Sequence, residues 1–484
     1  MTDSNHNKFG KKTHYNSNAR RVLIREFRFQ HINFHTPSSL TNSGSGLNYT
    51  FTPNSANYFP NFPVLIQSDG TPWEISILYL TAKIKECGTY EHRTIRGLAD
   101  HLLDYLRFLE DLGLNYLYLP ENDRLKVTFR YREELIEQIS SGKIETSTAK
   151  VRINAIANFY REIIKWRLLD STQLKKLPFE ETVKYIHIVS KNGRDSTVIK
   201  TSHNLSIRKP KKQRDPECIS DGGDLRPLTF SEQETMLVAL RKSSREYQLM
   251  FYLALFTGAR IQTVCTLRLT HLKGSLDQDG NLRLPIGDGT LADTKLGKHM
   301  TLLVPGWLVQ DMKIYSLSQE AKKRRSRSFY GDNDNNYIFL SKNGIPYYTA
   351  KSELIDRSNQ EHQTTPTKAT KLQNTSIQDG AALRQHIHSI LLPRIRVKNP
   401  SFQRFTFHDL RASFGMNLLE SQLKHSGSGN VTAALEYTQQ RMGHSNKETT
   451  LQYLNYKSRL EWRSSIQNEF EVSLFRHVNT PQNN

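Results

Sequence analysis

Five side chains suggest one piece of chemistry. His408 and Arg411 stand three residues apart in FHDLRASFGMNLL, His444 follows Gly443, and Tyr453 comes nine residues after His444. Upstream, Arg260 ends the run Thr257-Gly258-Ala259-Arg260. Each piece alone has a plain structural reading. HxxR lays two residues on one helical face, Gly-His is an ordinary helix start or turn, and a Tyr among apolar residues belongs in a core. Together they provide two imidazoles, two guanidiniums and a phenol. Guanidinium forks grip phosphate oxygens, and a phenol attacks phosphorus once its proton is managed. The inventory suits gripping a phosphodiester and attacking it with a phenolate. Arg260, at the start of a buried helix, needs an anion beside it, either a carboxylate or a bound phosphate.

The composition agrees with a polyanionic partner. The chain has 484 residues, 67 Lys plus Arg against 47 Asp plus Glu, and a net charge of +20, with a pI near 9.7. Neutralising phosphates releases counterions and drives binding to nucleic acid. A membrane surface is disfavoured, because no basic amphipathic segment stands out and no run of 18 apolar residues occurs. The basic N-terminus lacks the apolar segment of a signal peptide. Cys87, Cys218 and Cys265 are odd in number and far apart, which fits neither a disulfide frame nor a zinc site and points to a reducing intracellular compartment. Neither metal-ligand spacing nor a GxxxxGK[ST] phosphate loop is present.

The elements that must position these groups fall into five stretches. Residues 1–70 read as a basic arm or extension, either a disordered tail or an arm folding on nucleic acid, with a strand-like VLIREFRFQHINF. Residues 71–183 read as a small helical domain. Leu98, Leu102, Tyr105, Leu106 and Leu109 fall on one face, Gly113 stops that helix, and Val151, Ile153, Ile156, Phe159, Tyr160 and Ile163 mark another from Thr146. Lys143, Lys150 and Arg152 there are candidate phosphate contacts, with a solvated face as the alternative. Residues 184–227 lose the apolar period and read as a basic linker, where Arg208, Lys209, Lys211 and Lys212 in RKPKKQR could track a DNA backbone.

A second domain is expected over 228–457. Ser231-Glu232-Gln233-Glu234 reads as a capping box, and REYQLMFYLALF as a buried helix broken at Thr257-Gly258. GNLRLPI, LADTKLG and KHMTLLVP read as strands around glycine turns, with Lys295 near a hairpin tip. Two polar stretches within 306–405, KKRRSRSFYGDNDN and DRSNQEHQTTPTKATKLQNTSIQDG, read as surface insertions or disordered loops. Residues 458–484 form a C-terminal helix and tail, with an apolar seam at Trp462, Ile466, Phe470 and Leu474.

TGARIQTVCTLRL, TKLGK, HDLRASF and MGHSNKETTLQY occur here in the order found in tyrosine recombinases of the phage integrase family, and the second half of the chain, about 228–456, resembles them. The resemblance implies a mainly α fold with a small antiparallel β-sheet. It would be a two-lobed DNA clamp, with a helical, SAM-like core-binding domain and a mixed α/β catalytic domain. It implies that Arg260 and Arg411 clamp the scissile phosphate, His408 and His444 hydrogen-bond it and help manage the phenol proton, and Tyr453 forms a 3′-phosphotyrosyl bond. Lys295 would protonate the departing 5′ oxygen, with Lys298 as competitor, and Tyr456 is the decoy for the nucleophile. No cofactor, ATP or metal is implied. The implied partners are double-stranded DNA at specific recombination sites, a homotetramer on two such sites, and accessory DNA-bending proteins. The implied setting is the cytoplasm, on the nucleoid when DNA-bound. The sequence departs from the family at Thr263, where an acid often follows the first Arg by three residues. Two other readings stay open: a catalytically inactive DNA-binding protein with the same fold, and a type IB topoisomerase.

Overall fold

The computed structural model describes residues 14–34, 49–87, 92–168, 176–189, 195–208, 218–359, 377–426 and 430–459. The chain divides into two compact units, Met1–Lys212 and Gln213–Asn484. Helices dominate, and the strands among the described residues form four two-stranded antiparallel sheets.

The first unit begins with a ribbon of β1 (Arg20–Phe34) and β2 (Tyr49–Ile66), bulged between Arg28 and Gln30. Four helices follow: α1 (Glu74–Cys87), α2 (His92–Asp111), α3 (Val127–Ser140) and α4 (Thr146–Lys165). The 3-to-4 spacing of α2 buries Ile95, Ala99, Leu102, Leu106 and Leu109, each worth about 1.5–3 kcal/mol for a fully buried large side chain. Gly113 ends the run with φ +62°, a left-handed conformation that costs glycine nothing. Ile153, Ile156, Phe159, Tyr160 and Ile163 are buried on α4, whereas Val151 is 52% exposed and lies off the expected face. The buried phenols of Tyr105 and Tyr160 are satisfied. Tyr105 donates to Tyr160 at 2.8 Å, and Tyr160 donates to the Tyr116 carbonyl at 2.6 Å.

Two expectations for this half change. The N-terminal stretch is no separate arm across its described part, because Tyr15, Ala19, Phe59, Phe62, Val64 and Leu65 share the core of the four helices. The stretch expected as a linker contains an antiparallel pair, β3 (Glu181–Val189) and β4 (Asp195–His203). Its β-branched residues (Thr182, Val183, Ile186, Ile188, Thr197, Val198, Ile199, Thr201) favour strands without a helical period.

In the second unit a short hairpin, β5 (Ile219–Ser220) with β6 (Asp224–Leu225), precedes α5 (Phe230–Leu240). The capping box sits two residues earlier than the sequence suggested. Thr229 accepts from the Glu232 amide at 3.2 Å, and Glu232 accepts from the Thr229 amide at 2.9 Å. Helix α6 (Arg245–Thr257) is the buried centre, with Leu249, Met250, Phe251, Leu253 and Ala254 sealed from solvent. After α7 (Ile261–Thr266) come β7 (Asn281–Ile286) and β8 (Met300–Pro305), paired from Asn281–Pro305 to Ile286–Met300. LADTKLG is not a strand but the connection between them, with a 3-10 turn at Lys295–Gly297.

The region within which two surface insertions were expected carries helices across its described part. It holds α8 (Gly306–Leu317), α9 (Gln319–Arg325), α10 (Lys351–Asn359), α11 (Ala381–His386) and α12 (Leu392–Arg396). Arg324 and Arg325 are buried because each has an acid: Arg324 lies 2.8 Å from Glu246, and Arg325 is 2.7 Å from Asp332. Arg268 stacks 3.6 Å over the Tyr337 ring. The Arg324 and Arg325 charges, read as solvated, are here neutralised inside the fold. Residues 360–376 of the second polar stretch lie outside the described residues. The described residues end with α13 (Asp409–Ser426), α14 (Val431–Met442) and a helix over 447–459, here α15. The seam at Trp462, Ile466, Phe470 and Leu474 is also outside the described residues.

Candidate active site

Tight turns deliver the site. Gly258 ends α6 with φ +69°, and a Cβ there would meet the Phe414 ring at 2.6 Å, so the turn demands glycine twice over. Arg260 is thereby set at the N-cap of α7. Asp409 caps the start of α13, accepting from the Thr406 amide at 2.7 Å and the Arg226 amide at 2.9 Å. That cap fixes His408 just before the helix and Arg411 in its first turn. Gly443, with φ +62°, ends α14 and turns His444 inward. Tyr453 is wholly buried on α15, its ring against Gly415 of α13.

All five converge on Asp221, at the tip of the β5–β6 hairpin. Its Oδ2 accepts from Arg411 Nε at 3.1 Å, His444 Nε2 at 3.1 Å and the Tyr453 hydroxyl at 3.2 Å. Arg260 Nη2 is 3.6 Å from Oδ1, and His408 Nε2 donates to the Asp221 carbonyl at 3.0 Å. Arg411 is 2% exposed and also donates to the carbonyls of Gly258 at 2.7 Å and Met442 at 2.5 Å. His444 Nδ1 lies 3.0 Å from the Thr450 hydroxyl.

The electrostatics follow from burial and proximity. Burial alone would raise the Asp221 carboxyl, but the His444 hydrogen bond and the Arg411, His444 and Arg260 charges outweigh it and hold it well below the usual range. Burial, then the neighbouring Arg411 charge, bring Arg260 down to about 10. Burial, reinforced by Asp221, pushes the Tyr453 phenol up. Burial, then the two arginines, push His408 down, so its ring is neutral near pH 7.

The two lysines differ in their engagements. Lys298 Nζ donates to the Gly443 carbonyl at 2.7 Å and to Ser445 Oγ at 2.8 Å, bracing the His444 turn. Lys295 Nζ faces the Asp221–Gly222 tip: a Cβ on Gly222 would lie 4.0 Å from it and 3.7 Å from His408 Nε2. A small cavity of about 30 Å³ adjoins, lined by Arg260, Lys295, Lys298 and Arg411 among others. Thr263 does not face Arg260 as an acid would; its hydroxyl donates to the Asp293 carbonyl at 2.9 Å.

The other sequence candidates scatter. Lys143, Lys150 and Arg208 are exposed in the first unit. Arg152 is engaged internally, donating to Asp104 at 3.0 Å. Lys209, Lys211 and Lys212 lie outside the described residues. Sequence reasoning missed Asp221 altogether. The available signal was Asp-Gly-Gly between apolar Ile219 and Leu225, a tight-turn composition, but nothing in it named the partners. Among the described residues, no group of three or more His, Cys, Asp or Glu could hold a metal ion, and no helix is long and apolar enough to cross a membrane.

Comparison with known proteins places the second unit. Residues 226–459 match the model of the phage integrase family. No curated protein matches the chain. Similar solved structures include the Tn1549 transposon integrase (residues 82–397) in complex with circular intermediate DNA. It is 16% identical, with 78% of this chain and 94% of that chain covered and a TM-score of 0.39. XerA recombinase is 15% identical over 81% of this chain and 97% of its own, with a TM-score of 0.31. A lambda integrase dimer bound to a COC′ core site is 14% identical over 78% and 76%, with a TM-score of 0.41. Residues 226–459 thus form a phage integrase family domain, that of the tyrosine recombinases, which break and rejoin DNA.

Proposed function

We propose that the protein is a site-specific recombinase that cuts and rejoins duplex DNA through a covalent 3′-phosphotyrosyl intermediate, serving integration or excision of a mobile element. The observation that carries this reading is the convergence of Arg260, Arg411, His444 and Tyr453 on one anionic carboxylate. A carboxylate and a phosphate ask for the same donors.

In the proposed reaction, the phosphate takes the place at which these donors meet. Arg260 and Arg411 bind its non-bridging oxygens and stabilise the charge that grows as phosphorus becomes five-coordinate. His408 and His444 hydrogen-bond the same group and help carry away the phenol proton. The Tyr453 oxygen bonds to phosphorus as the bond to the 5′ oxygen breaks, and Lys295 gives that oxygen its proton. The ester keeps the bond energy, so the reverse attack by a 5′ hydroxyl rejoins the strand without ATP. Exchanging two duplexes takes four strand cuts, and one nucleophile per chain calls for a homotetramer on two sites. Accessory DNA-bending proteins and a cytoplasmic, nucleoid-associated setting belong to the same reading.

The test uses duplex DNA enriched from a random pool by binding to the wild-type protein. Wild type should form an SDS-stable adduct, with the modified peptide containing Tyr453. Tyr453→Phe should bind the same DNA and form none. An adduct mapped to Tyr456, or binding without any adduct, would defeat the proposal.

A further inference from the structure

Arg411 and His444, two of the groups that would hold a phosphate, are fixed from behind and turn a donor forward. Arg411 spends Nη1 and Nη2 on the Gly258 and Met442 carbonyls and turns Nε to Asp221. His444 is held through Nδ1 by Thr450 and gives Nε2 to the same carboxylate oxygen. Tyr453 places its hydroxyl on that oxygen as well. A residue serving to orient these side chains would take the rear positions, and those are taken by carbonyls and a hydroxyl. Asp221 takes the front.

We infer that Asp221 is an internal stand-in for the scissile phosphate, so that the Asp221–Gly223 tip seals the active site and a DNA phosphate enters only by displacing it. The inference rests on the function proposed above, which makes this seat the phosphate seat. Two anions cannot share it, because each would lose its donors and face the other's charge.

The hairpin is built for a moving tip on fixed legs. Ile219 and Leu225 are buried in the cluster that holds Ala412, Phe414 and Tyr453. The Ser220 amide donates to Gln452 Oε1 at 2.8 Å, and the Arg226 amide to Asp409 Oδ1 at 2.9 Å. Between these anchors, Gly222 and Gly223 carry no side chain, and Gly222 has φ +74°. The tip also lies beside His408 and Lys295, so one displacement would open the phosphate seat next to the acid. Until then the Tyr453 hydroxyl is tied up as a donor to a carboxylate. Reaction would thus be coupled to a duplex seated well enough to evict the tip.

Inorganic phosphate at constant ionic strength, with chloride as the matching ion, is the probe; binding to the full-length protein is read by titration calorimetry. An occupied seat lowers apparent affinity by the fraction of time it is open, so Asp221→Asn should bind phosphate at least about tenfold tighter than wild type. Adding Arg411→Gln to Asp221→Asn should abolish the gain. Equal or weaker binding by Asp221→Asn overturns the inference and makes Asp221 an orienting residue. If Asp221→Asn does not fold, Gly222→Ala decides. It keeps the carboxylate but strains the tip at positive φ, and it too should tighten phosphate binding; no gain overturns the inference. DNA capture is read separately. An adduct at Tyr453 without any phosphate gain refutes the stand-in and leaves the recombinase reading intact. A phosphate gain without an adduct in any variant supports the stand-in and refutes that reading.

Discussion

Gly415→Ala places one methyl group against Tyr453, the proposed nucleophile, and sizes its own effect. A Cβ at residue 415 would lie 2.6 Å from Tyr453 Cε1 and 3.0 Å from Met442 Cε, whereas ordinary contact begins near 3.4 Å. The Met442 methyl can swing aside. The Tyr453 ring cannot do so freely, being fully buried between α13 and the His444 ring, whose centroid is 5.7 Å away. The ring must therefore retreat by about 1 Å, a misplacement that can cost about 10²-fold in rate. Overpacking of this kind costs about 1–3 kcal/mol of stability. None of Arg260, His408 or Arg411 is touched, so DNA affinity should hold. The assay is single-turnover adduct formation on the enriched duplex, with binding and denaturant unfolding measured in parallel. Adduct formation within about threefold of wild type, in a protein destabilised as expected, would show that close packing on α13 does not set the position of the phenol.

Three further outcomes follow from the same geometry. Lys295→Ala should be slow on ordinary DNA and recover on a substrate with sulfur at the 5′-bridging position, because a thiolate leaves without a proton. Lys298→Ala should lose a smaller part of its activity, without sulfur rescue, since it braces Gly443 and Ser445; rescue of Lys298→Ala alone would transfer the acid role to it. Binding should weaken steeply between about 50 and 200 mM salt, and a flat log K against log salt would contradict phosphate-driven binding. Burial, then Arg394, lower His386 from 6.5 to about 4. A depressed folded value makes its contribution to stability complete above about pH 6.5 and lost as pH falls through about 4. The denaturant midpoint of wild type should thus fall more on acidification than that of His386→Gln, and parallel pH profiles would rule this out.

The set of side chains that meets at Asp221 was legible in the sequence because it depends on residue types at short spacings. HDLRASF, Gly443-His444 and Tyr453 nine residues on are local facts, and helix and turn geometry carry them into one site with little freedom. The same holds for α2, α4 and α6, whose apolar periods are their own evidence, and for Gly258 and Gly443, where a helix had to end. Tertiary structure decided what depends on partners distant in sequence. Arg324 and Arg325 read as solvated charges until Glu246 and Asp332 were placed beside them. The ribbon β1–β2 read as an arm until its aromatics met the helices. Asp221 shows the limit most sharply. Arg260 was known to need an anion, carboxylate or phosphate, and no local pattern says that an aspartate 39 residues upstream supplies it. Charge pairing is set by distance in space, and only the packing of β5–β6 against α13 and α15 fixes that distance.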